Sequence, residues 1–360
     1  MSEQKNPSFW SSLPGVITAV AGMITAIAIL VTTLANLPSS PTPSPSAAPT
    51  GAAPTGGTGS AGAVASPSAT GSADASTTPS GSPAKPSAVP AAAGSILFFA
   101  LRLDPSTGKQ NADLFAIDPS TEVERRVTTD AQPDSYPAWS PDGSRIAFDT
   151  KRSTGLRNIW VLEADGSYTR LTNDARADAY ATWSPDGARI AWAVGSTGSR
   201  EIWVMDAADG GHRRRLTTGG DDLFPSWGSN DLIAFERKAG TSSEVWVVNP
   251  ADGAAAARIT LADGGGGDPA WSPDGKRLAF ARRVGGVDQI FVVNANGHSG
   301  RKQLTAGSAC TCTDPTWSPD GTQIAYVGPG RDVRPILIVP AAGGSARRVT
   351  TNGLAPDWGG

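Results

Sequence analysis

The chain has 360 residues, 30 of them basic and 33 acidic, for a net charge of −3, with only two histidines and two cysteines. This near-balance gives no electrostatic reason to expect DNA or RNA, which usually needs a basic face, so no nucleic-acid partner is expected. So few histidines and cysteines also leave little material for a histidine-rich metal centre or a disulfide scaffold.

Charge is placed unevenly: residues 1–93 hold only Glu3, Lys5, Asp74 and Lys85. After a short polar stretch, 1–15, residues 16–37 read VITAVAGMITAIAILVTTLANL, 22 residues without a charge. At ~1.5 Å per residue a helix of that length reaches ~33 Å, enough for a ~30 Å hydrocarbon core. A cleaved signal has a shorter apolar stretch, roughly 7–15 residues, and small residues at its cleavage point. Leu34-Ala35-Asn36-Leu37 is a poor cleavage site. The run therefore predicts an uncleaved transmembrane signal anchor. Lys5 and the terminal amine favour a cytoplasmic N-terminus, and hence a single-pass membrane protein with a periplasmic or extracellular body. Residues 38–93 are Pro, Ser, Ala, Thr and Gly with no aromatic. Such a composition cannot offset its ordering entropy and predicts a disordered, extended linker.

From 94 onward one sentence repeats. Its clearest copy is Trp139-Ser140-Pro141-Asp142-Gly143, and it returns at Trp183, Trp271 and Trp317; Trp227 and Trp358 keep only the aromatic and a following glycine. The steps between tryptophans are 44, 44, 44, 46 and 41 residues, the period of propeller blades. After each full motif come an apolar four (Arg145-Ile146-Ala147-Phe148), a longer run (Asn158-Ile159-Trp160-Val161-Leu162), an Asp-Gly turn (Asp165-Gly166) and an Arg-Leu-Thr strand (Arg170-Leu171-Thr172). Gly after Asp supplies the positive φ of a tight hairpin. With the Trp strand, each unit has four antiparallel strands.

The ends of the array predict its closure. The sixth Trp strand stands alone, while three strands without one precede Trp139, at Ser95–Phe99, 113–118 and 124–128. One remainder is what the other lacks. The fold expected is thus all-β: a six-bladed β-propeller of four-stranded antiparallel blades, closed by a blade shared between N- and C-terminal strands, which removes open sheet edges. One transmembrane helix and a disordered linker precede it.

These residues resemble the WD40-like PD40 repeat of the TolB family over 94–360. The resemblance implies a six-bladed propeller, an exported location, and work in binding and protein–protein contact with another exported protein or peptide. The propellers of prolyl-oligopeptidase-like enzymes look similar but accompany a hydrolase domain. TolB itself carries an additional folded domain before its propeller, where this chain has the apolar run and the linker. In the family, the segment entering the innermost strand lies at the mouth of a central channel. Asp134, Asp178 and Asp222 each stand five residues before their Trp, Asp268 and Asp314 three before, and Asp357 one before. Two readings stay open. The carboxylates converge and hold a hard cation such as calcium, or a basic or amine-bearing segment; or each caps its own loop. Cys310-Thr311-Cys312 fits a local disulfide in an oxidising compartment or two free thiols, and lacks the spacing of a zinc site. His212 and His298 sit in corresponding turns. No hydrolase nucleophile elbow or phosphate loop occurs. A non-catalytic, membrane-anchored interaction module is the reading these residues favour, against a cation-dependent hydrolase or lyase working at the channel mouth.

Overall fold

The computed structural model describes residues 94–359 apart from 104–107, 154, 252–255, 260–264, 298, 308–309 and 332. All of these belong to one compact unit, Ser82–Gly360. The expected segments 1–15, 16–37 and 38–93 lie outside the described residues. Among the described residues no helix is long and apolar enough to cross a membrane.

Six four-stranded antiparallel sheets make up the fold. Blade 2 runs Asp134–Trp139, Ile146–Thr150, Asn158–Leu162 and Tyr168–Arg170. Blades 3 to 6 open with Asp178–Trp183, Asp221–Trp227, Gly267–Trp271 and Thr313–Trp317 in the same role. Blade 1 takes Ile96–Leu103, Gln110–Ile117 and Glu124–Arg126 from the start of the folded region and Leu354–Trp358 from its end. Ile96 faces Trp358 and Leu97 faces Asp357, so the strand arithmetic of the repeat is realised as a shared blade. The six Trp strands touch one another in a closed cycle, which makes them the inner wall of the ring.

The repeated motif earns its residues structurally. Ser140 Oγ bonds Asp142 Oδ1 at 2.6 Å and accepts from Arg145 N at 2.9 Å, while Gly143 N closes the turn on Ser140 O with φ at 67°. Hydrogen bonds from Ser140 and Ser144 hold the Asp142 carboxyl down to about 2. The Arg six residues after the Trp then reaches the next blade. Arg145 lies 4.5 Å over Trp183, Arg189 4.8 Å over Trp227 and Arg277 4.5 Å over Trp317. Apolar bodies and these cation–π contacts glue sheet to sheet.

The degenerate copies have a reason as well. At Gly228 and Gly359 a Cβ would fall 2.7 Å from Trp271 Cγ and 2.5 Å from Trp139 Cδ1, so the next tryptophan lies too close for the usual Ser.

One expectation needs adjustment. The outermost strands are shorter than an Arg-Leu-Thr strand: in blades 2 and 3 they stop at Arg170 and Arg215. The Thr hydroxyl takes over from the ladder. Ile159 N donates to Thr172 Oγ1, Ile202 N to Thr217 Oγ1 and Ile290 N to Thr305 Oγ1, each at 2.9 Å. These threonines are buried, and their hydroxyls satisfy amides that would otherwise be orphaned.

A funnel with an aromatic arc and an acidic arc

Each inner strand carries a bulge at the same place. The residue three before the Trp adopts a left-handed conformation in all six blades: Tyr136 at 51°, Tyr180 at 61°, Phe224 at 48°, Asp268 at 50°, Asp314 at 51° and Ala355 at 47°. Register shifts sit at these positions. Such φ values are uncommon outside glycine. Here a proline follows in five of the six strands, and proline has no N–H to give the ladder. The bulge turns these six half-buried side chains onto a central cavity of about 550 Å³. The cavity runs from this ring to the prolines two residues past the Trp, such as Pro141 and Pro319.

Chemistry divides the ring in two. Blades 2, 3 and 4 supply Tyr136, Tyr180 and Phe224, whose rings touch at centroid distances of 4.5 Å (Tyr136–Tyr180) and 4.4 Å (Tyr180–Phe224). Blades 5 and 6 supply Asp268 and Asp314; blade 1 has Ala355 at this position, and its Asp357 lines the cavity two residues further along the strand. Asp314 N donates to Asp268 Oδ2 at 3.4 Å, and Asp268 N to Glu236 Oε2 at 3.2 Å. Burial, then the negative charges of Asp314 and Glu236, raise the Asp268 carboxyl well above its ordinary range. Burial raises Asp314 too. It pushes Asp357 up to about 6, against the pull of a hydrogen bond from Trp139 N. No lysine, arginine or histidine is among the residues lining the cavity.

The next layer zips the blades together. Where the residue before a Trp has a side-chain acceptor, the following blade's Trp amide donates to it: Trp139 N to Asp357 Oδ2 at 2.7 Å, and Trp271 N to Ser226 Oγ at 3.1 Å. Where that residue is alanine, the indole swings instead to the alanine carbonyl, Trp183 Nε1 to Ala138 O at 3.1 Å and Trp317 Nε1 to Ala270 O at 3.0 Å. Trp139, Trp227 and Trp271 are buried in the cavity wall with indole N–H groups that have no acceptor.

The five aspartates singled out from the sequence separate into two sets. Asp268 and Asp314 face the cavity together. Asp134, Asp178 and Asp222 are fully buried inside their blades and are not among the residues that line it. Asp134 is gripped by Arg152 at 2.8 Å, and Asp222 by Arg237 at 2.6 and 2.7 Å. Asp178 has no ion pair: Oδ1 accepts from Trp192 Nε1 at 2.9 Å and Oδ2 is buried without a hydrogen bond. Burial raises it to about 6. Among the described residues no three His, Cys, Asp or Glu side chains are grouped as a metal site would need. Cys310 and Cys312 are both buried with their sulfur atoms in contact. His212 is exposed against Asp206, and His298 lies outside the described residues. The aromatic arc was missed in the sequence, although counting back three from every Trp would have aligned it.

A ring of six blades around such a funnel is a β-propeller of the kind that hosts many activities on one scaffold. The chain belongs to the TolB β-propeller (PD40) family, whose model matches residues 68–272 and 231–358. Among solved structures it is similar to TolB from Acinetobacter baumannii, at 22% identity and a TM-score of 0.59 over 74% of this chain and 67% of that one. A putative TolB from Agrobacterium tumefaciens matches at 20% identity and a TM-score of 0.58, over 72% and 91% of the two chains. Hydrazine synthase from Kuenenia stuttgartiensis matches at 16% and 0.59, over 73% of this chain but 46% of that one. These likenesses are of fold. No curated protein sequence matches.

Proposed function

We propose that the propeller is an exported interaction module whose funnel receives a positively charged, partly apolar segment of another exported protein or peptide. One observation carries this reading: the acidic arc of Asp268, Asp314 and Asp357 faces the aromatic arc of Tyr136, Tyr180 and Phe224, with no basic side chain among the residues that line the cavity. Carboxylates that repel one another gain from a cation between them, and aromatic faces also attract cations. An organic cation suits this geometry better than calcium, because the carboxylates are spread around an arc rather than gathered at a point. A cation-dependent hydrolase or lyase finds no histidine or cysteine in the lining to serve as base or nucleophile. The proposed setting is extracytoplasmic, tethered by a retained anchor at 16–37. Intact-mass measurement of membrane-extracted protein tests that part, and a mature start after 35 would reject it.

The test of the funnel is fluorescence anisotropy of the full chain with a labelled peptide of alternating lysine and phenylalanine, a glycine–serine peptide as control, and calcium in separate titrations. The lysine peptide should bind with an on-rate that falls as salt rises. Asp268→Asn with Asp314→Asn should weaken it about tenfold or more, whereas Asp222→Asn should not. Equal binding by all three proteins would overturn the reading.

A further inference from the structure

Five residues before each tryptophan the chain enters its inner strand, and in blades 3 to 6 and 1 it is hung there on the preceding blade. Asp178 N donates to Arg157 O at 2.9 Å, Asp222 N to Arg200 O at 2.9 Å, Gly266 N to Ser243 O at 2.6 Å, Cys312 N to Asp288 O at 2.9 Å and Gly353 N to Arg334 O at 2.8 Å. In blades 2 and 4 the side chain at this position is a carboxylate gripped by arginine, Asp134 by Arg152 and Asp222 by Arg237. Blade 6 has Cys312 in that place, joined to Cys310 by a disulfide. A covalent bond stands where those blades use an ion pair, and a reductant can open it.

A bridge across one intervening residue closes so small a loop that it removes little entropy from the unfolded chain, so its effect on global stability is small. What it fixes is local. Cys312 is fully buried, Cys310 is nearly so, and Thr311 between them is exposed. Arg334 Nη2 donates to Thr311 O and, at 3.0 Å, to Thr313 Oγ1. The Thr313 hydroxyl in turn donates to Asp314 Oδ2 at 2.8 Å. One arginine therefore links the cysteine loop to the threonine that orients a carboxylate of the cavity wall. Two thiols need more room than two bonded sulfurs, and Cys312 belongs to the same buried cluster as Ile290, Trp317 and Ile324. Opening the pair in so close-packed a place pushes Cys310 outward, and Thr311 moves with it.

We propose that Cys310 and Cys312 form a thiol–disulfide switch acting on the acidic arc of the funnel. Oxidised, the pair holds Thr313 and Asp314 in place; reduced, it releases them and weakens the grip on a cation. This rests on the reading of the funnel as a cation site. The reductant is a dithiol. Its first thiolate attacks Cys310 Sγ, the less buried sulfur, and the S–S bond breaks with Cys312 leaving as a thiolate that takes up a proton. The second thiolate of the reductant then displaces Cys310, which leaves in the same way. Two electrons pass to the pair, which becomes two thiols, and the reductant ends as a disulfide.

The test compares the full chain oxidised, treated with dithiothreitol, and reoxidised. Alkylation of the treated protein under native conditions should add two labels, and a pair that labels only in denaturant overturns the proposal. On reduction, hydrogen exchange should rise by about threefold or more in the strand Thr313–Trp317 and stay unchanged in Asp221–Trp227. The labelled lysine–phenylalanine peptide should bind the reduced protein about tenfold more weakly, the worth of one hydrogen bond to a charged group. Reoxidation should restore both. Cys310→Ser should behave as the reduced protein with and without dithiothreitol. Thr313→Val, which cuts the link to Asp314, should keep the exchange response and lose the contrast in binding. Equal exchange in both states overturns the switch, as does equal affinity in both for a peptide that binds. A peptide that binds neither state refutes the cation funnel instead, and the exchange contrast then decides by itself whether the disulfide governs the strand carrying Asp314.

Discussion

Replacing Asp178 by asparagine should stabilise the protein above pH 6, against the usual cost of altering a buried side chain. The carboxyl is fully buried, has no ion pair, and leaves Oδ2 without a hydrogen bond. Its value is raised from 3.8 to about 6, chiefly by burial. A raised folded value means the native state binds the proton more tightly than the unfolded chain. The stabilising contribution is therefore present below the unfolded value of 3.8 and is lost as pH rises through about 6. A shift of about two units corresponds to about 3 kcal/mol between those limits. Asparagine keeps the acceptor for Trp192 Nε1 and never charges, but its amide N–H groups enter the place where Oδ2 has no partner. That offsets part of the gain and leaves about 1–2 kcal/mol at pH 8. For a domain of this size the gain corresponds to a rise in Tm of about 2–6 °C. Calorimetry of both proteins at pH 4, 6 and 8 checks it. The difference between them isolates this group from the other raised carboxyls, which both proteins share. Parallel pH profiles, or a variant less stable at pH 8, would refute the reasoning.

Other outcomes follow from the same contacts. Gly359→Ala should cost about 1–3 kcal/mol by forcing a methyl against Trp139 at the seam, measurable as a fall in denaturation midpoint. Thr172→Val should cost about 1–3 kcal/mol, since Ile159 N is left buried without its acceptor, and that amide should exchange faster in hydrogen-exchange measurements. Deleting 354–360 should lower Tm by well over about 3 °C, because blade 1 loses its inner strand and Trp139 N loses Asp357; a smaller drop would mean that the ring holds without its seam.

The ring was legible in the sequence because the tryptophan, the turn and the Asp-Gly hairpin each leave a local mark, and the surplus at one end matched the deficit at the other. The channel lining was harder. Asp134, Asp178 and Asp222 share a register, which invites placing them on a common axis, and their separation from Asp268 and Asp314 by two residues is what strand alternation would keep on one face. The left-handed residue three before each Trp breaks that alternation. The blade interiors hold the first three aspartates, two of them through Arg152 and Arg237, arginines 18 and 15 residues further along the chain. Such pairings depend on where a hairpin returns, and no local pattern records them. Tyr136, Tyr180 and Phe224 were overlooked for a related reason: aromatic residues in a strand read as core, and only the bulge turns them onto the cavity.

The shared blade also sets a schedule for assembly. Blades 2 to 6 are each built from one continuous stretch, so they can form in turn as the chain is made. Ile96–Leu103 appears early but has no neighbour on its inner side until Leu354–Trp358 arrives. At roughly 5–20 residues per second, that edge waits on the order of 10–50 s. During the wait its unpaired amides and carbonyls are open to any passing strand, including the same strand of another nascent copy. The last strand of the ring to be synthesised is thus the one that ends this edge's exposure to mispairing.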